Sequence, residues 1–365
     1  MFAIFASAIK YISVIRKILV IRFRRVGDSV IATALCRSLK ESFPKAEVHF
    51  VINENIAPLY YGHPDIDKVI PFSERENHGC AYIKKVWKTV RDTRYDAIID
   101  IYSTMKTSLF SLLSLRTKYR IVRYKKYNSF THNYRIRPVA EDDCVQNNLR
   151  LMTPLAGEGE LHPNPHFRLY ITDEEKDMYR RYMVEQGIDF GKPVVLCAVT
   201  ARLAHKIWPY DRMTRVLKKM IDTFDVQLVF NYSGEVEAQA ARSIWESLGK
   251  DPHVFLNIQA NGLRELCALV CNSAFFFGNE GGPRHIAQAF DVPSFAIYSP
   301  DISKKFWLPG NDSRFRGISP ADYVPQEQQK GMDYAARLGL IPEEDVWKQL
   351  KGMLDVYLPR TKIPK

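Results

Sequence analysis

The sequence predicts an α/β protein made of two consecutive units, each a parallel sheet with helices on both faces. Short segments rich in β-branched and aromatic residues are apolar throughout, as strands buried on both faces are. These segments alternate with stretches of helical periodicity, which is the pattern of a doubly wound sheet. The alternation stops near residue 140 and restarts near residue 190, and a chain of 365 residues is long enough for two cores.

The first unit opens with a buried strand, a polar turn and a helix. Its predicted strands cover residues 17–23, 46–53, 67–72 and 96–102. Its predicted helices cover residues 30–44 and 81–95. Each helix separates two strands, and such a connection makes the flanking strands parallel.

The second unit repeats this alternation. Its predicted strands cover residues 193–199, 226–232, 254–258, 274–279 and 294–299. Its predicted helices cover residues 212–224, 235–248, 263–273 and 283–290. We therefore predict an N-terminal domain over residues 1–175 and a C-terminal domain over residues 176–340. Residues 341–365 are predicted to form a final helix and tail. One arrangement is that this segment packs back on the N-terminal domain.

The formal net charge of +11 favours polyanionic partners such as nucleic acid, anionic lipid or phosphorylated sugars. A nucleic-acid partner is not expected, because the sequence has no paired-cysteine zinc spacing, no basic helix leading into heptads and no aromatic RNA-binding signature. The six cysteines are scattered, which is typical of a protein from a reducing cytoplasm. Their spacing predicts no metal site.

The N-terminal segment, residues 1–17, is amphipathic. Phe2, Phe5, Ile9 and Ile12 have near-helical spacing, and the cations follow the apolar part, which is not the order of a secretory signal peptide. The segment either lies on a membrane surface or packs on its own domain, because periodicity does not distinguish a lipid face from a core face. No window of eighteen uncharged apolar residues is present, so a spanning helix is not expected.

The motif RRVGDS follows the first strand and precedes a helix. Gly27 permits a tight turn with close approach to a ligand, and Asp28 lies at or near the helix N-terminus. Asp28 is then either a helix cap, which is a common use of aspartate, or a carboxylate that takes a proton from a substrate hydroxyl.

Two loops after strands of the second unit carry candidate polar ligands. Thr200 and Lys206 follow the strand at 193–199, where the lysine serves either as a phosphate contact or as a solvated loop cation. Glu235 and Glu237 follow the strand at 226–232. Either acid can accept hydrogen bonds from a ribose, and both also suit the first turn of a helix electrostatically.

The stretch GNEGGPRHIAQAF has the strongest chemical pattern. A strand ends at Glu280, Gly281 and Gly282 leave backbone N–H groups uncovered, and a helix follows. Free N–H groups at a helix N-terminus bind anions, which predicts a diphosphate site. Arg284 or His285 can add a donor, although a histidine on a helix face also serves as a structural group bonded to a backbone carbonyl.

These motifs, in this order and nearly end to end, resemble glycosyltransferase family 9, the heptosyltransferases of the lipopolysaccharide inner core. The segments that carry the resemblance are residues 18–52, 63–72, 206–209 and 265–300. The resemblance implies a GT-B fold, in which two Rossmann-like domains with parallel sheets face each other across a cleft. It also implies inverting, metal-independent transfer without a cofactor, from a nucleotide-sugar such as ADP-heptose to a lipid-linked anionic oligosaccharide.

The resemblance also implies a role for each matching residue. Asp28 is similar to the family's general base. The residues that the resemblance assigns to the donor are Thr200, Lys206, Glu235, Glu237, Glu280, Gly281, Gly282 and His285. Those that it assigns to the acceptor are Gly27, Lys106, Arg120 and Arg123, and the basic run from 116 to 126 is otherwise a generic basic face.

The sequence departs from the family at two places. Glu280 and Gly281 stand where aspartate and a hydroxyl residue are usual, which leaves a different donor such as a UDP-hexose open. The N-terminal extension is long, which favours a cytoplasmic enzyme held peripherally on the inner face of the membrane. A non-catalytic nucleotide- or glycan-binding relative is the remaining alternative, and the joint presence of Asp28, Lys206 and His285 argues against it.

Overall fold

The computed structural model describes residues 15–128 and 130–358. The chain divides into two compact units, Met1–Phe167 and Arg168–Lys365. The predicted membrane-surface helix falls almost wholly on residues 1–14, which lie outside the described residues. Ile15 is the first described residue, and the strand that follows starts two residues later.

The first unit is a six-stranded parallel sheet with the strand order β3-β2-β1-β4-β5-β6. Its strands are β1 (Lys17–Ile21), β2 (Glu47–Asn53), β3 (Lys68–Phe72), β4 (Ala97–Asp100), β5 (Tyr119–Arg123) and β6 (Tyr134–Ile136). Its helices are α1 (Val26–Ser42), α2 (Gly79–Asp92), α3 (Ser108–Leu112) and α4 (Cys144–Leu149).

The second unit is also a six-stranded parallel sheet, with the order β12-β11-β10-β7-β8-β9. Its strands are β7 (Val194–Ala198), β8 (Gln227–Phe230), β9 (Val254–Phe255), β10 (Phe275–Asn279), β11 (Ser294–Ile297) and β12 (Phe315–Ile318). Its helices are α5 (Asp173–Glu185), α6 (Tyr210–Thr223), α7 (Gly234–Ser247), α8 (Leu263–Cys271), α9 (Gly282–Ala289), α10 (Lys304–Trp307), α11 (Tyr334–Leu338) and α12 (Glu343–Tyr357).

Each sheet has the strand order of a Rossmann fold. The chain winds outward in one direction from the first strand and then restarts on its other side, so the strand order reverses between β1 and β4 and between β7 and β10. Ligands of such sheets bind beside the carboxyl ends of the strands at this reversal. The loops that follow β1, β4, β7 and β10 are therefore the expected positions of binding residues.

The predicted strands and long helices are present, with shifts of a few residues at their ends. The sequence analysis did not predict β5, β6 or β12. Arginines interrupt the sequence YRIVR of β5, and Gly317 lies inside the four-residue β12, so neither strand shows a continuous apolar run. Pairing with neighbouring strands, rather than local pattern, defines β5 and the edge strands β6 and β12.

The boundary between the units lies earlier than the predicted residue 175. Helix α5 spans that position and begins with a capping box in which Thr172 and Glu175 exchange hydrogen bonds. The helix packs against α8, and Glu175 forms an ion pair with Arg264 of that helix. These contacts place the whole of α5 in the second unit.

The C-terminal helix α12 is part of the second unit's own core. Val346, Leu350 and Leu354 are buried in the same apolar cluster as the strands of the second sheet. At its N-terminus, Glu343 pairs with Lys219 of α6 across 2.8 Å. Within the described ranges, none of the helices combines the length and the apolar character needed to cross a bilayer.

Candidate functional site

Two groups of charged side chains lie at the carboxyl edges of the two sheets, one in each unit. The group in the first unit, here called the Asp28 group, consists of Arg22, Asp28, Asp100 and Arg123. The group in the second unit, here called the Glu280 group, consists of Lys206, Glu280, Arg284 and His285. Each group lies at the position where its sheet reverses strand order.

The loop between β1 and α1 makes its turn at two arginines. Arg24 and Arg25 have φ angles of 62° and 42°, in the left-handed region that non-glycine residues rarely occupy. The N–H of Arg24 donates to Oδ1 of Asn53 at 2.6 Å, which holds the turn against the end of β2. Gly27, to which the sequence analysis assigned the turn, is instead the second residue of helix α1. Strained backbone of this kind concentrates at functional loops.

Asp28 lies in the first turn of α1 and is not the helix cap, because the capping position belongs to Arg25. Its Oδ1 lies 2.5 Å from Nη2 of Arg22, with which it forms an ion pair. The Asp28 side chain is 15% exposed. The Arg22 guanidinium also lies over the ring of Tyr102, 5.3 Å from its centroid. The carboxylate is thus oriented by a fixed cation while part of it remains open to solvent.

Asp100 and Arg123 complete the Asp28 group from the ends of β4 and β5. Asp100 is fully buried, and burial raises its pKa to about 6, although hydrogen bonds from Thr107 and Ser103 and the charge of Arg22 act in the opposite direction. Arg123 donates to Oδ1 of Asn148. Burial, reinforced by the charge of Arg22, lowers the pKa of Arg123.

Two other predicted acceptor residues have different surroundings. The ammonium of Lys106 donates to the carbonyl of Asn77 and lies 4.5 Å from the ring centroid of Tyr82. Its pKa is lowered, first by desolvation and then by Arg24. The guanidinium of Arg120 donates to the carbonyls of Leu115, Thr117 and Thr131. Arg120 therefore holds the chain around β5 through Nε and Nη1, whose hydrogen bonds go to backbone carbonyls.

The Glu280 group depends on a close approach between β7 and β10. Gly278 has a φ of 139°, and a Cβ at this position would lie 2.3 Å from the carbonyl oxygen of Ala198. Asn279 donates to the carbonyls of Ala198 and Val199 and accepts from the N–H of Trp208 at 3.0 Å. These contacts fix the loop that carries Lys206 relative to the loop that carries Glu280.

Lys206, Glu280 and His285 converge in the second unit. Nζ of Lys206 lies 2.8 Å from Oε2 of Glu280, and the two side chains are 16% and 9% exposed. Nε2 of His285 lies 3.9 Å from Oε1 of the same carboxylate, which is beyond hydrogen-bond distance. The sequence analysis predicted all three residues for one donor site, and the structure brings them together.

Arg284 fixes the tautomer of His285. Its Nη2 donates to Nδ1 of His285 at 2.7 Å, and a guanidinium can only donate, so Nδ1 carries no proton. Burial, together with the charges of Arg284 and Lys206, holds the pKa of His285 well below its ordinary value of 6.5. The ring is therefore neutral with its proton on Nε2, the atom that faces Glu280.

Arg284 itself is a fully buried cation whose partners are neutral. Besides His285, it donates to the carbonyl of Trp307 at 2.9 Å and to Oε1 of Gln288 at 2.8 Å. Among the residues that the structure describes, no carboxylate pairs with it. A buried charge without a counterion favours an anion close by, and the N-terminus of α9 is adjacent in the chain.

Helix α9 begins at Gly282, and the capping position is Gly281, which has no side chain that could accept from the first N–H groups. Its first N–H groups are thus free of local side-chain acceptors, as predicted for an anion site. Its second residue is Pro283, which fits a first helical turn because it has no N–H to satisfy.

Of the two predicted ribose acids, Glu237 is the one that meets the loop after β7. Its Oε2 accepts from the hydroxyl of Thr200 at 3.0 Å and from the N–H of Ser233 at 3.2 Å. Glu235 is exposed and interacts with Gln239 one turn further along the helix. The structure therefore distinguishes Glu237 from Glu235, which the sequence left as alternative ribose ligands.

Together, the Glu280 group, the start of α9 and the Thr200–Glu237 pair form a surface suited to a nucleoside diphosphate. It combines one ammonium, a neutral imidazole N–H and backbone N–H donors with a carboxylate of the kind that binds sugar hydroxyls. In the described part of the chain, no three histidine, cysteine, aspartate or glutamate side chains are grouped as metal ligands would be.

Sequence reasoning missed Arg22, Asp100 and Asn279. Arg22 and Asp100 were read as strand residues, although each lies where a predicted strand ends, the position that sheet topology marks for ligands. Asn279 ends the strand before Glu280, so the same rule could have identified it. The burial of Arg284 had no signal in the sequence, because it depends on the chain around Trp307.

Comparison with known proteins agrees with this architecture. Residues 83–330 match the sequence profile of glycosyltransferase family 9 (heptosyltransferase). Lipopolysaccharide heptosyltransferase 3 of Escherichia coli is 23% identical over 331 residues, covering 88% of this chain and 94% of that protein.

Two solved structures superpose over 93% of the chain. A family 9 glycosyltransferase from Veillonella parvula has a TM-score of 0.78 at 18% identity, with 97% of that chain covered. The E. coli ADP-heptose lipopolysaccharide heptosyltransferase II has a TM-score of 0.71 at 21% identity, with 98% covered. The fold is GT-B. The family match spans most of the chain, and the protein belongs to glycosyltransferase family 9 and is a glycosyltransferase.

Proposed function

We propose that this enzyme transfers a heptose from ADP-heptose to the core oligosaccharide of a lipopolysaccharide, with inversion at the anomeric carbon and without a metal ion. The observation that carries the proposal is the convergence of Lys206, Glu280 and His285 beside the uncapped start of α9. That arrangement fits a diphosphate, and related proteins of the family carry heptosyltransferase names.

In the proposed reaction, Asp28 takes the proton from an acceptor hydroxyl as its oxygen attacks the anomeric carbon. The bond between that carbon and the diphosphate oxygen breaks, and the nucleoside diphosphate leaves with the bonding electrons. Arg22 keeps the Asp28 carboxylate oriented for this step. A positioned base of this kind contributes about 10²- to 10⁴-fold to a rate.

Lys206, Nε2–H of His285 and the N–H groups at Gly282 stabilise the negative charge that develops on the leaving diphosphate. Because these donors are fixed before the reaction, they favour the transition state over the ground state. They also supply the positive charge that a metal ion supplies in other transferases. Glu280 holds Lys206 in place, and we assign its carboxylate as the acceptor of a sugar hydroxyl.

We assign the nucleotide's ribose to Glu237 and Thr200, which already share a hydrogen bond. Lys106 and Arg123, with Gly27 giving close backbone access beside Asp28, are proposed contacts of the anionic acceptor. Arg120 is left out of this set because its Nε and Nη1 groups already donate to backbone carbonyls around β5.

A UDP-hexose is the second candidate donor, because Glu280 and Gly281 replace the usual aspartate and hydroxyl residue of the family. A thermal-shift panel of ADP, UDP, GDP and their sugars distinguishes the two candidates, since the ligand that binds the folded state most tightly raises Tm most. The proposal expects ADP and ADP-heptose to give the largest shifts. A larger shift with a UDP-sugar would replace the donor and leave the mechanism unchanged.

The reaction itself is tested by incubating the pure protein with ADP-heptose and a heptose-deficient lipopolysaccharide acceptor in the presence of EDTA. The proposal expects transfer with inverted configuration in the product. Binding of the donor without transfer or hydrolysis would identify the chain as a non-catalytic relative. Peripheral contact of residues 1–17 with the membrane remains part of the proposal, since the acceptor is a lipid.

A further inference from the structure

The outward face of α2 is apolar where a solvent-facing helix is normally polar. Ile83 and Trp87 lie one turn apart and are 51% and 45% exposed. Together with Cys80, Lys84 and Leu113, which follows the end of α3, they line one shallow depression. A neighbouring face of α2 packs into the core of the first unit, so the apolar surface of this helix extends beyond its core-facing side.

Two further exposed leucines lie close to Leu113 in the chain. Leu112, the last residue of α3, is 43% exposed, and Leu115 is 63% exposed. Contiguous exposed apolar surface of this kind indicates an interaction site, because scattered single residues do not form a depression.

Unpaired cations surround this apolar surface. Lys84, Lys88 and Arg91 are exposed on α2, and Arg116 is exposed after α3. No carboxylate within residues 15–128 or 130–358 forms an ion pair with any of the four. The guanidinium of Arg91 lies over the ring of Trp87, 4.4 Å from its centroid.

The chain around this surface is also depleted of negative charge. From residue 101 to residue 140 the sequence has no aspartate or glutamate. Its cations are Lys106, Arg116, Lys118, Arg120, Arg123, Lys125, Lys126, Arg135 and Arg137. The excess of positive charge in the whole chain is thus concentrated in the first unit's second half.

We propose that Ile83, Trp87, Leu112, Leu113 and Leu115, with Lys84, Lys88, Arg91 and Arg116, form a docking surface for an anionic lipid bilayer. This set is called the α2 surface below. It is separate from the N-terminal segment of residues 1–17. The inference rests on the proposed function only because a lipid-linked acceptor is located in a membrane, where the enzyme has to reach it.

A bilayer fits this surface better than a protein partner does. A tryptophan with a cation on its ring is suited to the interface between lipid headgroups and acyl chains. Lysine and arginine place their stems along apolar surface and their charges at the headgroups. Cations near an anionic leaflet are attracted to it, so the charge and the apolar area of this surface favour the same partner.

The two faces of α2 connect the membrane with the proposed acceptor site. On its inner face, Tyr82 donates from its hydroxyl to the carbonyl of Lys106 at 2.9 Å, and its ring lies beside the Lys106 ammonium. A bilayer bound at Ile83 and Trp87 therefore contacts the same helix that supports Lys106, a residue assigned to the acceptor.

Vesicle flotation of the full-length protein tests the proposal. We expect the protein to float with vesicles of phosphatidylcholine and phosphatidylglycerol, to float weakly with phosphatidylcholine alone, and to be released by salt. The double variant Ile83→Glu/Trp87→Glu should lose about tenfold or more in apparent affinity, because partial burial of each side chain is lost. The triple variant Lys84→Gln/Lys88→Gln/Arg116→Gln should lose the preference for phosphatidylglycerol.

The matched control is Val184→Glu/Val356→Glu, two exposed apolar side chains in the second unit. It adds the same charge and should float like the wild type. Both double variants should retain ADP binding and transfer to a detergent-solubilised acceptor. That retention separates failure of membrane docking from failure of the proposed function.

Trp87 gives a direct spectroscopic readout. Vesicles that contain brominated lipid should quench part of the wild-type fluorescence, and Trp87→Phe should float normally while losing that quenching. Flotation that is unchanged in Ile83→Glu/Trp87→Glu would assign membrane binding to residues 1–17 and overturn the proposal. A change of oligomeric state in that variant during sedimentation, without an effect on flotation, would make the α2 surface a contact between copies and would also overturn it.

Discussion

The guanidinium of Arg284 donates to Nδ1 of His285 across 2.7 Å, and both side chains are almost completely buried. This contact leaves the histidine neutral, with its remaining proton on Nε2. It also places a positive charge beside the start of α9, and no carboxylate in residues 15–128 or 130–358 pairs with that charge. The pair therefore provides a neutral hydrogen-bond donor, Nε2–H of His285, and a nearby cation, Arg284, that are both fixed in the folded protein.

The first prediction concerns His285. His285→Gln should lower kcat about 10²-fold, because one fixed donor to the leaving diphosphate is lost or displaced. The KM for the donor should change much less, since the interaction strengthens as the charge develops. Steady-state kinetics with a saturating acceptor measure both quantities. A fall in affinity with unchanged kcat would make His285 a ground-state contact instead.

Arg284 acts through His285 and is tested by the pH profile. In Arg284→Met the imidazole stays buried but loses a neighbouring cation, so its pKa should rise and any inflection of kcat/KM from its titration should move to higher pH than in the wild type. Arg284→Lys keeps the charge and should show a smaller change. Because the side chain is buried, unfolding curves are needed alongside the kinetics. An unchanged pH profile in a folded Arg284→Met protein would exclude the positioning role.

The second prediction concerns the ion pair of Lys206 and Glu280. Lys206→Met should weaken ADP binding about 10- to 100-fold, since a charge-assisted phosphate contact is lost and a buried carboxylate loses its cation. Lys206→Met/Glu280→Gln should recover part of that loss, because the unpaired negative charge is removed. Titration calorimetry on the four proteins of this cycle gives the coupling. Purely additive effects would contradict a shared phosphate site.

The third prediction separates the two acids of α7. Glu237→Gln should weaken ADP binding about tenfold, because Glu237 faces Thr200 at the loop after β7. Glu235→Gln is the matched control and should bind ADP like the wild type. Inorganic diphosphate should bind equally to both variants, since it has no ribose. Equal losses in the two variants would remove the assignment of the ribose to Glu237.

The fourth prediction is a pH dependence of stability from Asp100. Its folded-state pKa of about 6 lies above the ordinary value of 3.8, so the folded protein binds more protons between these pH values. The free energy of unfolding should therefore fall as pH rises from about 4 to about 6, by on the order of 2–3 kcal/mol from this group. Asp100→Asn should lack that contribution. Chemical unfolding of both proteins across this range measures it, and parallel curves would show that Asp100 is ionised throughout.

Much of the fold follows from local pattern, because buried strands and amphipathic helices have different periods. The loop of Glu280, Gly281 and Gly282 was predictable because it lies between a buried strand pattern and a helical pattern, and Pro283 favours a first helical turn. The position of Asp28 in a first helical turn was also close to the prediction. Its ion pair with Arg22 was not, because that contact depends on how the strand end meets the helix.

Features that depend on contacts distant in sequence were not predictable. Arg284 is charged and precedes a histidine, so the sequence left either residue as a phosphate donor. Only the packing around Trp307 makes Arg284 buried and His285 its partner. Arg120 was predicted to contact the acceptor, but its guanidinium donates to backbone carbonyls around β5, which the sequence pattern does not reveal. The turn at Arg24 and Arg25 was assigned to Gly27, because glycine is the residue that usually adopts a positive φ.

The central claim is that Asp28 is the base of a sugar transfer, and Asp28→Asn tests it most directly. This change keeps the shape of the side chain and removes its charge, while the donor surface of the second unit is untouched. Asp92→Asn, an exposed acid at the end of α2, is the matched control. We predict that Asp28→Asn binds ADP as tightly as the wild type and loses transfer by about 10³-fold, within the range for a positioned base. Transfer within a few-fold of the wild-type rate in a folded Asp28→Asn protein would contradict the mechanism.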